Sequence, residues 1–348
     1  MGRTDRQFLS GNEAAVLGAI DAGATMMFGY PITPATEILE GWISKAEKSS
    51  RLQYLQTEDE IAAGFGVLGA VLAGHKSLTA SAGPGHVLLQ DPISMAENMR
   101  LPFVGIMMQR GGPSTGTVNF SQQEVNLAAF GGNGEGLRVV YSASTVAEMY
   151  DLVIKAFSTA WKYRFPTFVL GDGYLGKMRS TISLKEHLNP VVSKPILAEG
   201  AKPTHLRNCY SSEEVFGAYL RKNIDEWLEA APKIAESESY MAREANEIII
   251  AHGLVASAAK EAVAQLRRQR RRTGLFRPIT LNPFDTVKLK KIARDAQRII
   301  VIESARNQLA KIVKSELFGV SLPVYVISKP AEGFTPEEIV DAVRKIKE

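Results

Sequence analysis

Over its first 180 residues the chain alternates between short apolar runs and longer stretches of helical pattern, and few architectures accept that rhythm. Strand-like runs fall at 25–30, 52–56, 76–81, 103–109, 138–142 and 167–170, with helical stretches at 12–22, 35–46, 58–73, 87–98 and 146–161. In the third helical stretch Ile61, Phe65, Leu68 and Leu72 recur at spacings of four, three and four, which predicts one apolar stripe against a sheet. Strand, helix, strand repeated in this way predicts a mostly parallel sheet with helices on both faces. From about 181 to 245 the rhythm lapses. Pro190, Pro195 and Pro203 break it, and a polar helical connector follows at 211–245, with Phe216, Leu220, Ile224 and Leu228 on one face. Alternation resumes at Glu247, with helices at 255–270, 287–296 and 336–347 and strands at 275–281, 298–303 and 323–328. The expected organisation is an α/β domain over 1–180, a partly helical connector over 181–245, and a smaller α/β domain over 246–348.

Bulk properties remove several function classes. An apolar content of 45% with 22% charged residues is that of an ordinary globular protein, and 348 residues suffice for two domains. Apolar runs such as 248–251 are far too short to cross a bilayer. The amino end carries no apolar signal core, so export is not expected and a cytoplasmic location is. A formal charge of +4 predicts neither nucleic-acid nor membrane binding. The single cysteine, Cys209, cannot form an internal disulfide or anchor an iron–sulfur cluster. His75, His86, His187, His205 and His252 show no i, i+4 pairing, so no metal site is expected in this chain.

Three junctions between strand-like and helical segments carry candidate chemistry. If the strands are parallel, these junctions share one carboxyl edge, where open α/β sheets bind ligands. The first is Tyr30-Pro31-Ile32-Thr33-Pro34. Thr33 reads as a helix N-cap with Pro34 at the first helical position, a start that also offers N–H groups and a hydroxyl to a carboxylate. The second is Thr57-Glu58-Asp59-Glu60, which fits a capping box and places acids at the positive end of a helix dipole. Against that plain reading, Ala62, Ala63 and Gly64 let the helix approach another surface closely and would leave Glu60 in apolar surroundings. The third is Ser81-Ala82-Gly83-Pro84-Gly85-His86, which fails as a dinucleotide fingerprint but suits a tight turn beside a bound ring.

Other motifs carry plainer readings. Arg110, before Gly111-Gly112-Pro113-Ser114-Thr115, reads either as a solvated loop residue or as a bidentate partner for a carboxylate. Gly171-Asp172-Gly173 reads as a turn closing the first domain. The run Arg267 to Arg272 reads as a solvated helix end.

Glu60 nine residues before Gly69, followed by small residues, resembles the aminopyrimidine-binding domain of thiamine-diphosphate enzymes. With the stretch from Tyr30 to Pro34 the likeness narrows to the alpha subunit of 2-oxoacid:ferredoxin oxidoreductases. Gly11-Asn12-Glu13-Ala14, Arg110 to Thr115, Phe165 to Asp172 and Arg277 to Phe284 are similar to landmarks of that family and span nearly the whole chain. Two segments depart from it: Asn119 to Val125 replaces a Gln-Gly-Asp-type segment, and Ser328 to Gly333 lacks a glycine-rich turn.

The resemblance implies a thiamine-diphosphate-binding, pyrimidine-type parallel-sheet domain followed by a transketolase-C-terminal-like domain. It implies that Glu60 is catalytic, its carboxyl kept protonated by burial to share a hydrogen with the aminopyrimidine ring nitrogen. Thr33 and Arg110 would bind the substrate carboxylate, and Pro31, Ser81 and Gly83 would join Glu60 in holding the cofactor. The implied reaction is oxidative decarboxylation of a 2-oxoacid with coenzyme A to an acyl-coenzyme A and carbon dioxide, with electrons passed to ferredoxin. The Gly-Asp-Gly motif that holds Mg²⁺ in thiamine enzymes needs a downstream asparagine, and Asn189 comes too early here. A beta subunit would therefore hold the diphosphate, Mg²⁺ and a 4Fe–4S cluster, with gamma and ferredoxin-like delta subunits beside it. A non-catalytic assembly subunit and a thiamine-dependent decarboxylase or ligase remain open alternatives.

Overall fold

A computed structural model describes residues 6–184, 196–197 and 206–346. Pro190, Pro195 and Pro203, like His187, Asn189 and His205, lie outside the described residues. A seven-stranded sheet organises the first half. Its strands are β2 (Met26–Gly29), β3 (Gln53–Gln56), β4 (Ser77–Ser81), β5 (Val104–Gln109), β6 (Val139–Ser142), β7 (Thr167–Asp172) and β12 (Thr280–Asn282), in the order β12-β6-β7-β5-β4-β2-β3. All pairings are parallel except β12 with β6. β1 (Arg6–Ser10) and β8 (Arg179–Ser183) form a separate antiparallel pair.

A five-stranded sheet organises the second half, in the order β14-β13-β10-β11-β9. It uses β9 (Ser237–Tyr240), β10 (Glu247–Ile250), β11 (Thr273–Pro278), β13 (Arg298–Glu303) and β14 (Val324–Ser328). β9 lies inside the stretch expected to be a connector and pairs antiparallel with β11; the other pairings are parallel.

The sheets are covered on both faces, as the alternation predicts. The helices Gly11–Asp21, Thr36–Ala46 and Val146–Tyr163 pack one face of the first sheet around Trp42, Tyr150 and Phe157. The helices Glu60–Leu72 and Gln90–Met99 pack the other face, and their core continues into the second domain through Ile248, Phe276, Leu289 and Leu309. The two domains thus share one apolar layer. A third cluster, from Ile249 to Val343, fills the far face of the second sheet.

Three local expectations need correction. The run 275–281 is two strands in two sheets. Pro278 cannot donate to a ladder, β11 ends there, and the chain crosses at Ile279 to pair β12 with β6. On helix Glu60–Leu72, Leu68 is buried and Leu72 packs against the same core, but Phe65 is 38% exposed and Ile61 half-buried, so the expected stripe packs only in part. Small residues decide the approach instead: Gly64 lies against Pro92 and Gly66 against the Phe28 ring, where an added Cβ would meet carbons at 2.3 and 2.4 Å. Ala63, Val67 and Val71 are buried and the aromatic is turned outward. On the connector helix Glu213–Ile234, Leu228 is exposed, while Asn223, Ala230 and Ile234 are buried and Trp227 meets Phe165 edge-on at 5.0 Å.

Candidate active site

The carboxyl ends of β5, β4, β2 and β3 are successive neighbours in the sheet, and the three candidate junctions, after β2, β3 and β4, meet Arg110, after β5, at that edge. Asp59, not Thr57, caps helix Glu60–Leu72, accepting from the Ala62 N–H at 2.7 Å. Glu60 is therefore the first helical residue and takes no part in a capping box. Freed from that duty, its side chain is buried, with 4% of its surface exposed. The Ser81 hydroxyl donates to Glu60 Oε1 at 3.3 Å. Gly85 closes the other side: a Cβ there would fall 2.0 Å from Glu60 Oε1 and 2.3 Å from Ser81 Oγ. Desolvation pushes the Glu60 carboxyl above its ordinary pKa, and the nearby Asp59 charge adds to this. Its own backbone N–H, Ser81 and the Arg110 charge oppose it without reversing the direction.

Thr33 is likewise not an N-cap. Helix Thr36–Ala46 begins after Ala35, which makes no side-chain cap, because the backbone from Ile32 to Ala35 closes a turn of its own with Ala35 N–H donating to Ile32 O at 2.8 Å. The Thr33 carbonyl accepts from Arg110 Nη1 at 2.8 Å, and the Thr33 side-chain hydroxyl is not used by that bond. Arg110 is buried, which excludes the solvated-loop reading. Among the described residues its Nε has no hydrogen-bond partner, and Gly83, at φ +53°, lies so close that a Cβ would come within 2.6 Å of that nitrogen. Asn12 steadies the same loop, donating to Pro34 O at 2.9 Å. Pro31 is exposed two residues before Thr33.

Thr33, Glu60, Ser81, Gly83 and Arg110 are thus brought to one edge. Sequence reasoning missed Gly85, His86 and above all Glu124. Glu124 Oε1 accepts from the N–H of both Gly83 and Arg110 at 2.9 Å, and its Oε2 lies 2.8 Å from Nδ1 of the buried His86. One signal could have found it: Glu124 is the only charged residue between Arg110 and Glu135.

Two other motifs resolve simply. Asp172 ends β7 and caps the short helix Gly173–Lys177, and burial pushes its carboxyl up to about 7. The basic run is only partly a solvated helix end. Arg271 pairs with the buried Glu247 at 2.5 Å, and Arg267 Nε donates to Thr273 O, so both are tied into the fold. Among the described residues no helix is long and apolar enough to cross a membrane. Nor, among those residues, does a group of three or more His, Cys, Asp or Glu side chains form a metal-holding cluster.

Comparison with known proteins identifies the family. Residues 17–247 match the family described as pyruvate flavodoxin/ferredoxin oxidoreductase, thiamine-diphosphate-binding, and residues 245–339 match pyruvate:ferredoxin oxidoreductase core domain II. The chain is 33% identical to ketoisovalerate oxidoreductase subunit VorB of Methanothermobacter marburgensis, over 98% of this chain and 97% of that one. It is 32% identical to 2-oxoglutarate synthase subunit KorA of Methanocaldococcus jannaschii, over 97% and 99%. Among solved structures it is similar to 2-oxoglutarate:ferredoxin oxidoreductase from Magnetococcus marinus, with a TM-score of 0.87 and 27% identity. That match covers 98% of this chain and spans 65% of the longer Magnetococcus chain. A likeness to a split-gene transketolase, with a TM-score of 0.62 at 14% identity, shows the shared fold. The chain belongs to the 2-oxoacid:ferredoxin oxidoreductase family, with a thiamine-diphosphate-binding domain, and is one subunit of a multi-subunit enzyme.

Proposed function

We propose that this subunit contributes the aminopyrimidine half of a thiamine-diphosphate site and the carboxylate-binding part of the 2-oxoacid site. The observation that carries this reading is the pairing, at one sheet edge, of a desolvated carboxyl that favours its proton with a buried arginine anchored to the Thr33 backbone. The residues present fit the cofactor's ring. Gly83 and Gly85 let Arg110 and Glu60 lie directly against the turn's backbone, where a Cβ would collide with them, and the buried Glu60 offers an acidic proton. When bound, thiamine diphosphate supplies the nucleophilic carbon that adds to a 2-oxo group and the electron sink that lets carbon dioxide leave. Glu60 holds the proton shared with the ring nitrogen, and Ser81 orients that carboxyl. Arg110 and the Thr33 hydroxyl hold the substrate carboxylate, with the Arg110 guanidinium directed by its bond to the Thr33 carbonyl. Pro31 packs at the ring from the exposed side.

The other half of the site belongs to a partner. Tyr30, Tyr54, Leu55, Phe65, Val87 and Leu88 are all more than a third exposed, on the edge strand β3 and on the segments that carry the site. Exposed apolar residues gathered in this way are the mark of an interaction surface. We assign its occupant as the beta subunit, bearing the diphosphate, Mg²⁺ and a 4Fe–4S cluster. Gamma and ferredoxin-like delta subunits complete a cytoplasmic complex that passes electrons to ferredoxin. Within this chain we read 1–180 as the cofactor domain, 181–245 as the connector and 246–348 as the transketolase-C-terminal-like domain.

The experiment is purification of the assembled complex and a panel of 2-oxoacids. Iron, acid-labile sulfide and coenzyme A-dependent viologen reduction support the reading. A cluster-free complex that releases aldehyde points to a decarboxylase, and activity that survives Glu60→Gln and Arg110→Ala points to an assembly subunit.

A further inference from the structure

Residues 120–126 are gripped in turn by the two domains. Phe120 is buried with Ile249, Ala251 and Val255 of the second domain and stacks on Tyr174 at 4.8 Å. Gln122 Nε2 donates to His252 O at 2.8 Å, its Oε1 accepts from Ser304 N–H at 2.9 Å, and its own N–H donates to Ser304 O at 3.1 Å. Asn126 N–H donates to Gln308 Oε1 at 2.9 Å, and its Nδ2 donates to Asn307 O at 3.0 Å. Between these anchors the side chains turn the other way. Gln123 Oε1 accepts from Gly112 N–H at 2.7 Å. Glu124 takes the Gly83 and Arg110 N–H groups on one oxygen and faces His86 Nδ1 with the other.

We propose that Glu124 is the positioning residue for the substrate arginine, and that the second domain sets its position through Gln122 and Asn126. The proposal rests on Arg110 binding the 2-oxoacid carboxylate. Two loops must meet for that: the one after β4, which carries Gly83, and the one after β5, which carries Arg110. A single carboxylate oxygen joins their backbones, and Gln123 ties the second loop again at Gly112, two residues past Arg110. His86 holds the other oxygen, its Nδ1–H donating to the carboxylate, so Glu124 cannot swing away from the pair of N–H groups. Such a bridge preorganises binding without touching the reacting atoms, so its loss should appear in KM.

The test uses the assembled complex and compares Glu124→Ala, Glu124→Gln, Gln122→Ala and Arg110→Ala. Each is assayed for kcat and KM for the 2-oxoacid, for direct 2-oxoacid binding by equilibrium dialysis, and for thermal stability. Glu124→Ala should raise KM and the dissociation constant roughly thirtyfold, with kcat changed less than about threefold. Glutamine keeps an oxygen for both N–H groups, so Glu124→Gln should bring KM back to within about threefold of wild type. Gln122→Ala, which touches nothing at the sheet edge, should raise KM by about fivefold. A purely structural Glu124 would lower stability and the active fraction while leaving KM unchanged, and that result overturns the proposal. Gln122→Ala with wild-type KM removes the second domain from it. Unchanged KM in Arg110→Ala defeats instead the reading of Arg110 as the substrate residue.

Discussion

Replacing Glu60 by glutamine separates its chemistry from its packing. The carboxyl sits between Ser81, which donates to it at 3.3 Å, and Gly85, whose added Cβ would fall 2.0 Å from Oε1. Glutamine has the same shape and keeps an oxygen for Ser81, so the packing and hydrogen-bond penalty stays within about 1 kcal/mol. The acidic proton, however, is gone. Loss of general acid–base help should slow hydrogen–deuterium exchange at the thiazolium carbon of the bound cofactor by about a hundredfold, equivalent to about 2.7 kcal/mol. The assay needs no substrate, so Thr33→Ala and Arg110→Ala should leave that exchange largely intact while weakening 2-oxoacid binding.

A pH dependence accompanies the loss. Burial raises the folded-state pKa of Glu60 above 4.5, so the native state binds the proton more tightly than the unfolded chain. Below that value both states are protonated. As pH rises through the raised pKa, wild type loses stability that Glu60→Gln does not, so the melting-temperature gap in favour of the variant should widen and then level off. Unchanged exchange in Glu60→Gln, with cofactor bound and the complex assembled, would refute the catalytic assignment.

Gly85→Ala should act on the same carboxyl from outside. Its methyl displaces Glu60 and Ser81, and exchange at the cofactor should fall at least tenfold, on the scale of a misplaced catalytic group, while the isolated subunit still folds. Phe65, turned outward at 38% exposure, tests the partner surface: Phe65→Asp should leave the subunit's melting temperature near wild type but abolish co-purification of the beta subunit, and intact assembly would contradict that use of the surface. His252 is fully buried and burial holds its pKa at about 3, so the unfolded chain takes up a proton below about 6.5 that the native state refuses. Stability should therefore fall from about pH 6.5 toward 3, and His252→Asn should show a shallower decline; equal declines in thermal melts would show that this histidine does not set the acid limit.

Local signals determined much of this protein. The alternation over the first 180 residues is physical bookkeeping of burial, because central parallel strands are apolar on both faces and the helices between them on one. The expected strands at 25–30, 76–81 and 298–303 correspond closely to β2, β4 and β13. The motifs at Thr33, Glu60 and Arg110 were legible because strand ends in a parallel sheet share an edge, so residues far apart in the chain were placed together before any contact was known.

Contacts made at a distance decided the rest. Capping chemistry pointed to Thr33 and Thr57, yet the helices start at Thr36 and Glu60, because a preceding turn and Asp59 satisfy their first N–H groups. Apolar periodicity favoured Phe65, yet contact distance between helices is set by the smallest residues, and Gly64 and Gly66 turned the ring outward. Glu124 had only its isolation as a charge to mark it. Its meaning lies in three partners 14 to 41 positions away, and only folding brings the N–H groups of Gly83 and Arg110 to one oxygen. Periodicity is a property of neighbours along the chain, whereas this carboxylate acquires its role from neighbours in space.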